Sequence, residues 1–146
     1  MSEQQFKQLS PTEHLAWLRL IRSDNVGPIT FFRLLERFGS ASNALSALPD
    51  IARKGGKRHY KIASEADGNA EIERTLKVGA RLVAWCEPEY PPLLRMAEGS
   101  PPILSMMGNI HLTQNTCVGI VGARNASVNG LNLARRLASD LGRGGG

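Results

Sequence analysis

The stretch of sequence that decides the fold is CVGIVGARNASVNG, residues 117–130. Its first part, residues 117–121, is a short apolar run, which predicts a buried strand. Residues 122–130 form a loop bounded by glycines. An amphipathic helix is predicted next, from apolar residues at helical spacing: Leu131, Ala134, Leu137, Ala138 and Leu141. Strand, loop and helix in this order are the opening of an α/β fold of the nucleotide-binding type.

The residue types of this loop suit a phosphate group. A helix N-terminus presents unpaired backbone amides and the positive end of the helix dipole to an anion. Gly122 would let the backbone approach a ligand closely, and Gly130 would leave the helix start uncrowded. The planar guanidinium of Arg124 fits phosphate, while Ser127 and Asn129 can each cap the helix or donate to a phosphate oxygen. An ordinary strand-to-helix turn, with Arg124 in a surface ion pair, is the alternative that the residues leave open.

The spacing of the glycines excludes two nucleotide-binding motifs. They stand at positions 119, 122 and 130, which is not the G-x-G-x-x-G dinucleotide pattern, and no G-K-[ST] ending of a Walker A loop follows. We therefore expect phosphate recognition without a nucleotide cofactor, and we assign no cofactor to the chain.

Helices are predicted for the first half of the chain. Residues 10–13 read as a capping box before a first helix, and Gly39 is expected to end a second one. A third is expected to stop at Pro49, and a fourth runs from Ser64 to Gly79. Buried strands are predicted at residues 82–85 and 103–106, with a proline-rich segment between them.

This pattern divides the chain near residue 80. We predict a helical domain over residues 1–80 and an α/β domain over residues 81–146. A doubly wound sheet needs several more strand–helix units than the sequence supplies, so we expect the α/β domain to be incomplete and the chain to be truncated.

Two further segments are candidates for nucleic-acid contacts. Residues 24–28, between the first two helices, resemble the hairpin of helix-hairpin-helix modules, although a plain connection in a small helical bundle is the favoured interpretation. A basic run with no acidic residue follows, expected to be a flexible loop through Gly55 and Gly56, and its cations are Arg53, Lys54, Lys57, Arg58 and Lys61. It is either an electrostatic footprint for DNA or a solvated loop. Tyr60 and Tyr90 are the candidate stacking platforms.

Composition narrows the function classes. The chain has 146 residues, 42% hydrophobic and 21% charged, which is typical of a folded globular protein, and its net charge of +5 weakly favours a polyanionic partner. Cys86 and Cys117 have no metal-ligand spacing, so we expect reduced thiols and no metal site. The N-terminus lacks a signal-peptide core and no apolar run reaches the roughly 18 residues of a membrane span, so we expect a cytoplasmic protein.

Residues that could form a catalytic site are scattered. His14, His59 and His111 are widely spaced, and we expect surface or structural roles for them. Glu87 and Glu89 are expected to be solvated on the proline-rich loop rather than to act as an acid/base pair. The sequence therefore predicts a binding protein and not an enzyme.

The order of the motifs resembles a known family. Gly27-Pro28 and residues 34–40 (LLERFGS) are followed by residues 90–94 (YPPLL), residues 101–104 (PPIL) and the loop GARNASVNG at residues 122–130. This set is similar to the bacterial DNA-processing protein family, DprA or Smf, whose signature reads G-[ST/A]-R-x-x-S-x-Y-G. The resemblance implies a helical domain of the sterile-alpha-motif (SAM) type, similar to helix-hairpin-helix domains, followed by an extended Rossmann-like fold.

The resemblance also implies a function. The family binds single-stranded DNA in natural transformation, protects incoming DNA, helps to load the RecA recombinase, and is expected to form a homodimer at full length. By matching positions, Arg124 would contact a DNA phosphate, and Gly122, Ser127 and Gly130 would shape the pocket. Asn129 stands where the family has tyrosine, so a ring contact is lost there. The alternatives are a nucleotide-processing enzyme on a Rossmann-like scaffold and a helical domain that serves only protein interactions.

Overall fold

The computed structural model describes residues 6–56 and 60–144. By its internal contacts the chain divides into two compact units, one that runs up to Gln114 and one that begins at Asn115. The domain boundary near residue 80 stays a prediction.

Four helices begin the first unit: α1 (Pro11–Arg22), α2 (Pro28–Phe38), α3 (Ala41–Lys54) and α4 (Glu65–Lys77). The predicted capping box is present, since the Ser10 side chain accepts from the Glu13 amide and the Glu13 carboxylate accepts from the Ser10 amide. Gly39 ends α2 with a φ of 78°, in the left-handed region that glycine adopts easily. The structure thus confirms the capping signals predicted for the start of α1 and the end of α2.

The prediction that Pro49 ends the third helix is wrong. Helix α3 continues through it to Lys54. Proline has no N–H, so the Leu45 carbonyl four residues earlier loses one helical hydrogen bond. The helix continues because its next turn is held by packing: Ala52 is buried and Ile51 packs against the core. As a consequence, Arg53 and Lys54 lie on a helix and not on the loop that we expected.

One hydrophobic core joins the helices to the following strands. Its centre is a series of edge-to-face aromatic contacts, with ring centroids 5.0 Å apart for Trp17–Phe31, 5.4 Å for Phe31–Phe32 and 5.2 Å for Phe32–Trp85. Phe31 is completely buried. Since Trp85 directly follows the first strand, the helical segment and the strands share this core.

The two predicted strands of the first unit are confirmed. Strand β1 (Ala80–Ala84) pairs antiparallel with β2 (Ile103–Met107), with Ala80 opposite Met107 and Ala84 opposite Ile103. The proline-rich connection contains only the short helix α5 (Pro92–Arg95), and a 3-10 helix (Ile110–Gln114) follows β2. A helical N-terminal segment followed by this small sheet is the mixed α/β architecture that the sequence predicts.

The second unit contains one helix, α6 (Val128–Gly144), within the residues that the structure describes. The amphipathic helix is confirmed, but it begins at Val128, so Asn129 and Gly130 lie in its first turn and not in the loop. The predicted strand at residues 117–121 is wrong, because these residues form no regular structure and Val121 is 96% exposed. A strand needs a neighbour for its backbone hydrogen bonds, and none of the described residues of this unit supplies one.

Candidate nucleic-acid interface

The phosphate-type loop is built around the start of α6. The Ser127 side chain accepts a hydrogen bond from the Gly130 amide, 3.2 Å between N and Oγ, and the Ser127 carbonyl accepts from the Leu131 amide at 3.0 Å. Ser127 is therefore the N-cap of α6. Since its oxygen acts as an acceptor in the cap, the hydroxyl hydrogen is still available to an anion. Ahead of Gly130, the amides of Val128 and Asn129 have no acceptor within the helix.

Arg124 lies in a turn just before this cap and is exposed. Among the described residues no carboxylate forms an ion pair with its guanidinium. The sequence from Asn115 onward holds four arginines and one acidic residue, Asp140, which gives this short segment a charge of +3 out of +5 for the whole chain. An exposed guanidinium in a basic segment, beside a helix N-terminus, is an arrangement that attracts phosphate.

The remaining residues predicted to belong to this site are Gly122, Asn129 and Gly130. Asn129 is exposed in the first turn of α6. A Cβ added at Gly122 would contact no heavy atom within 4 Å, and one added at Gly130 would make only ordinary contacts, the nearest at 3.5 Å to the Ser127 hydroxyl. The protein's own packing thus does not require glycine at either position. Close approach to a ligand stays a prediction for both.

The basic run belongs to the first unit. Arg53 and Lys54 form the last turn of α3, where Arg53 pairs with Asp50 at 3.0 Å, and Lys61 is exposed in the segment before α4. Lys57 and Arg58 lie outside the described residues. The described part of the run is therefore divided between a helix end and a segment without regular structure.

The hairpin at residues 24–28 is held by two hydrogen bonds between Asp24 and the backbone of Lys61. The Asp24 amide donates to the Lys61 carbonyl, and the Lys61 amide donates to the Asp24 carboxylate, each at 3.0 Å. Asn25 has a φ of 57°, a conformation that asparagine tolerates better than most residues. Pro28 then occupies the first position of α2, where its missing N–H has no effect on the helix.

The prediction that Glu87 is solvated is wrong, because this residue is only 1% exposed. Its Oε1 accepts from the Gln8 side chain at 2.8 Å, the His14 ring at 2.9 Å and the Leu9 amide at 3.0 Å. Its Oε2 accepts from the Ala84 amide at 2.8 Å. This carboxylate ties the N-terminal segment and α1 to the end of β1, so its role is structural. The sequence carries no local signal for it, because the partners lie up to 79 residues away.

The two candidate stacking tyrosines differ. Tyr90 is completely buried and its hydroxyl donates to the Pro101 carbonyl at 2.8 Å, so the prediction that it could stack on a base is wrong. Tyr60 is half-buried and packs against the core. Burial, and secondarily the nearby Asp24 carboxylate, raise the pKa of the Tyr60 hydroxyl, which keeps it neutral at physiological pH.

Comparisons with known proteins define the class. A family model described as "DprA-like N-terminal HHH domain" matches residues 11–73, and one described as "DNA recombination-mediator protein A" matches residues 81–145. The second description gives the class: the chain is related to DNA recombination mediators, here with a helical domain ahead of the mixed α/β segment.

The particular family follows from the same matches and from one relative. Protein Smf of Synechocystis is 25% identical over 148 aligned residues, which cover 94% of this chain and 37% of Smf. The chain belongs to the DprA/Smf family, as the order of its motifs indicates. It spans little more than a third of the length of that relative.

Metal-ligating clusters and membrane-spanning helices are absent from the described residues. No group of three or more histidine, cysteine, aspartate or glutamate side chains is arranged to hold a metal ion. None of the helices in residues 6–56 and 60–144 has the length and apolar character needed to cross a bilayer.

Proposed function

We propose that this chain binds single-stranded DNA as part of a cytoplasmic recombination mediator that protects incoming DNA and helps to load the RecA recombinase. The phosphate contacts are assigned to Arg124, the Ser127 hydroxyl and the first amides of α6. Gly122, Gly130 and Asn129 border the same site. Binding, rather than a chemical step, is the activity that we assign, and the full-length protein is proposed to act as a homodimer.

The observation that carries this proposal is the arrangement around the N-terminus of α6. Arg124 is exposed and makes no ion pair among the described residues, Ser127 keeps a hydroxyl hydrogen, and the segment around them has a charge of +3. Family membership supports DNA as the anion, because the model that covers this loop describes a DNA recombination mediator. A nucleotide-processing enzyme has less support, since Glu87 is used in structural contacts and Glu89 faces Arg81 at 3.8 Å.

The test is binding of a fluorescently labelled oligothymidylate, measured by anisotropy over a range of salt concentrations. If Arg124 contacts one phosphate, Arg124→Ala weakens binding several-fold and lowers the slope of log K against log salt by about 0.7. Arg143→Ala is the matched control, because it removes the same charge from the last turn of α6. Equal effects of the two substitutions, or none, would overturn the assignment of Arg124.

A further inference from the structure

A short segment before α1, residues 6–9, contacts the residues that follow β1, and we call it the N-terminal strap. The Lys7 amide donates a hydrogen bond to the Cys86 carbonyl at 2.9 Å. The Phe6 ring lies against the guanidinium of Arg95, with 4.2 Å between the ring centroid and Cζ. The strap is thus held on the proline-rich segment, far from it in the sequence.

Glu87 anchors the strap without depending on it. The Gln8 side chain and the Leu9 amide donate to its Oε1, at 2.8 Å and 3.0 Å. Two further donors to this carboxylate, the His14 ring and the Ala84 amide, lie outside the strap. When the strap leaves, the carboxylate keeps these two hydrogen bonds and gains access to water. Opening of the strap therefore leaves no buried polar atom without a partner, which is the costly outcome.

The strap buries little apolar surface. Leu9 is buried at 8% exposure, whereas Phe6 is 51% exposed, and residues 7–8 are exposed as well. The core of the first unit is held by the aromatic series from Trp17 to Trp85, whose rings belong to α1, α2 and the residue after β1. Segments with few buried apolar contacts open at a lower free energy than the core of the same protein. Opening of the strap thus costs less free energy than unfolding of the unit.

The strap and the Cys86 thiol border one cavity. This cavity has a volume of about 220 Å³, and its lining includes Lys7 and Leu9 of the strap, Cys86, and Trp17 and Leu35 of the helices. Burial is the main cause that raises the pKa of the Cys86 thiol from 9.0 to about 11. A cysteine reacts as its thiolate, so loss of the strap, which exposes this side of the cavity, increases the reactive fraction.

We propose that the N-terminal strap opens as a unit while the core of the first unit stays folded, and that this opening uncovers Cys86. The strap thereby controls the chemical reactivity of that thiol. The proposal concerns the first unit alone and does not depend on DNA binding by Arg124, so either proposal can fail without the other.

The experiment measures the rate at which iodoacetamide modifies Cys86 in Cys117→Ser, where it is the only cysteine. The thiolate forms a carbon–sulfur bond and iodide leaves. Lys7→Pro, made in this background, removes the amide that donates to the Cys86 carbonyl. We expect it to raise the rate in the folded protein about tenfold, since the loss of one hydrogen bond shifts an opening equilibrium by roughly that factor.

Lys7→Ala is the matched control. It removes the same side chain, with its exposed ion pair to Glu13, but keeps the amide. Because exposed ion pairs contribute little to stability, we expect a rate within about twofold of the protein that retains Lys7. Equal rates in Lys7→Pro and Lys7→Ala would refute the proposal.

The dependence on urea separates opening of the strap from unfolding of the whole unit. Below the urea concentrations at which tryptophan fluorescence changes, the rate should be nearly constant, because opening of so short a segment exposes little surface. A rate that instead rises with the full slope of unfolding from the lowest urea concentration overturns the proposal. The urea midpoint of Lys7→Pro shows whether its core is folded, and if it is not, the urea series with Lys7 in place decides.

Discussion

The buried carboxylate of Glu87 gives the sharpest test of the fold. In Glu87→Gln the amide oxygen can replace Oε1 and keep its three donors, from Gln8, Leu9 and His14. The amide nitrogen then faces the Ala84 N–H, so two donors meet and the buried backbone amide loses its acceptor. An unsatisfied buried donor costs about 1–3 kcal/mol, and the remaining bonds weaken because their acceptor is no longer charged. We expect a total loss of about 3 kcal/mol.

Urea unfolding, followed by the fluorescence of Trp17 and Trp85, measures this loss. With a denaturant dependence of about 1–3 kcal/mol per M for a small protein, the midpoint should fall by roughly 1–3 M. Glu89→Gln is the control, since its carboxylate is 30% exposed and only 3.8 Å from Arg81, and we expect a change within about 0.5 kcal/mol. A Glu87→Gln variant as stable as Glu89→Gln would show that the four contacts do not hold the first unit together.

Two further predictions follow from the titrating groups of the first unit. Burial, with a smaller effect of the Glu87 charge, raises the pKa of the Cys86 thiol from 9.0 to about 11, so below pH 9.0 its thiolate fraction is about 100-fold lower. In Cys117→Ser, iodoacetamide should therefore modify Cys86 about 100-fold more slowly in the native protein than in urea; rates within tenfold would contradict this. The hydrogen bond from the Ser10 amide, and next the contact with Lys7, lower the pKa of Glu13 below 4.5 in the folded state. Its contribution to stability is thus present above pH 4.5 and is lost as the pH falls through the folded pKa. Because its side chain is exposed, Glu13→Gln should reduce the loss of stability on acidification by about 0.2–1 kcal/mol. Equal acid sensitivity of both proteins would argue against the capping box.

The features predicted correctly from sequence are those with local causes. Ser10, Ser40 and Ser64 each cap a helix through an amide three residues later, and such spacings can be read from the sequence directly. Pro49 is a local signal that tertiary packing overrides. Gly68, inside α4, has a tertiary cause: an added Cβ would lie 2.6 Å from the Leu15 side chain, so this glycine marks a close approach of α4 to α1. That approach depends on contacts across some fifty residues of sequence.

At the candidate site, too, local features could be predicted from the sequence and tertiary contacts could not. The cap at Ser127 and the helix after it could be predicted, because both depend on residues within one turn. The structure of residues 117–121 could not be predicted in this way. An apolar run forms a buried strand only where neighbouring strands pair with it and cover it. Likewise, Glu87 and Tyr90 stand in a proline-rich segment that looks solvated, yet both are buried by partners that only the tertiary structure brings near.

The contacts that stabilise the first unit do not involve Arg124, the residue changed in the DNA-binding test. Arg124 is exposed and has no ion pair among the described residues, so its removal leaves no unpaired buried charge and should change stability by less than about 0.5 kcal/mol. The contacts that hold the first unit together, at Glu87 and along the aromatic series from Trp17 to Trp85, all lie before Gln114. A loss of DNA affinity in Arg124→Ala with an unchanged urea midpoint therefore reports a lost phosphate contact. In Glu87→Gln, the same loss of DNA affinity would result from unfolding. Tryptophan fluorescence distinguishes the two causes, because it detects unfolding and not the loss of a phosphate contact.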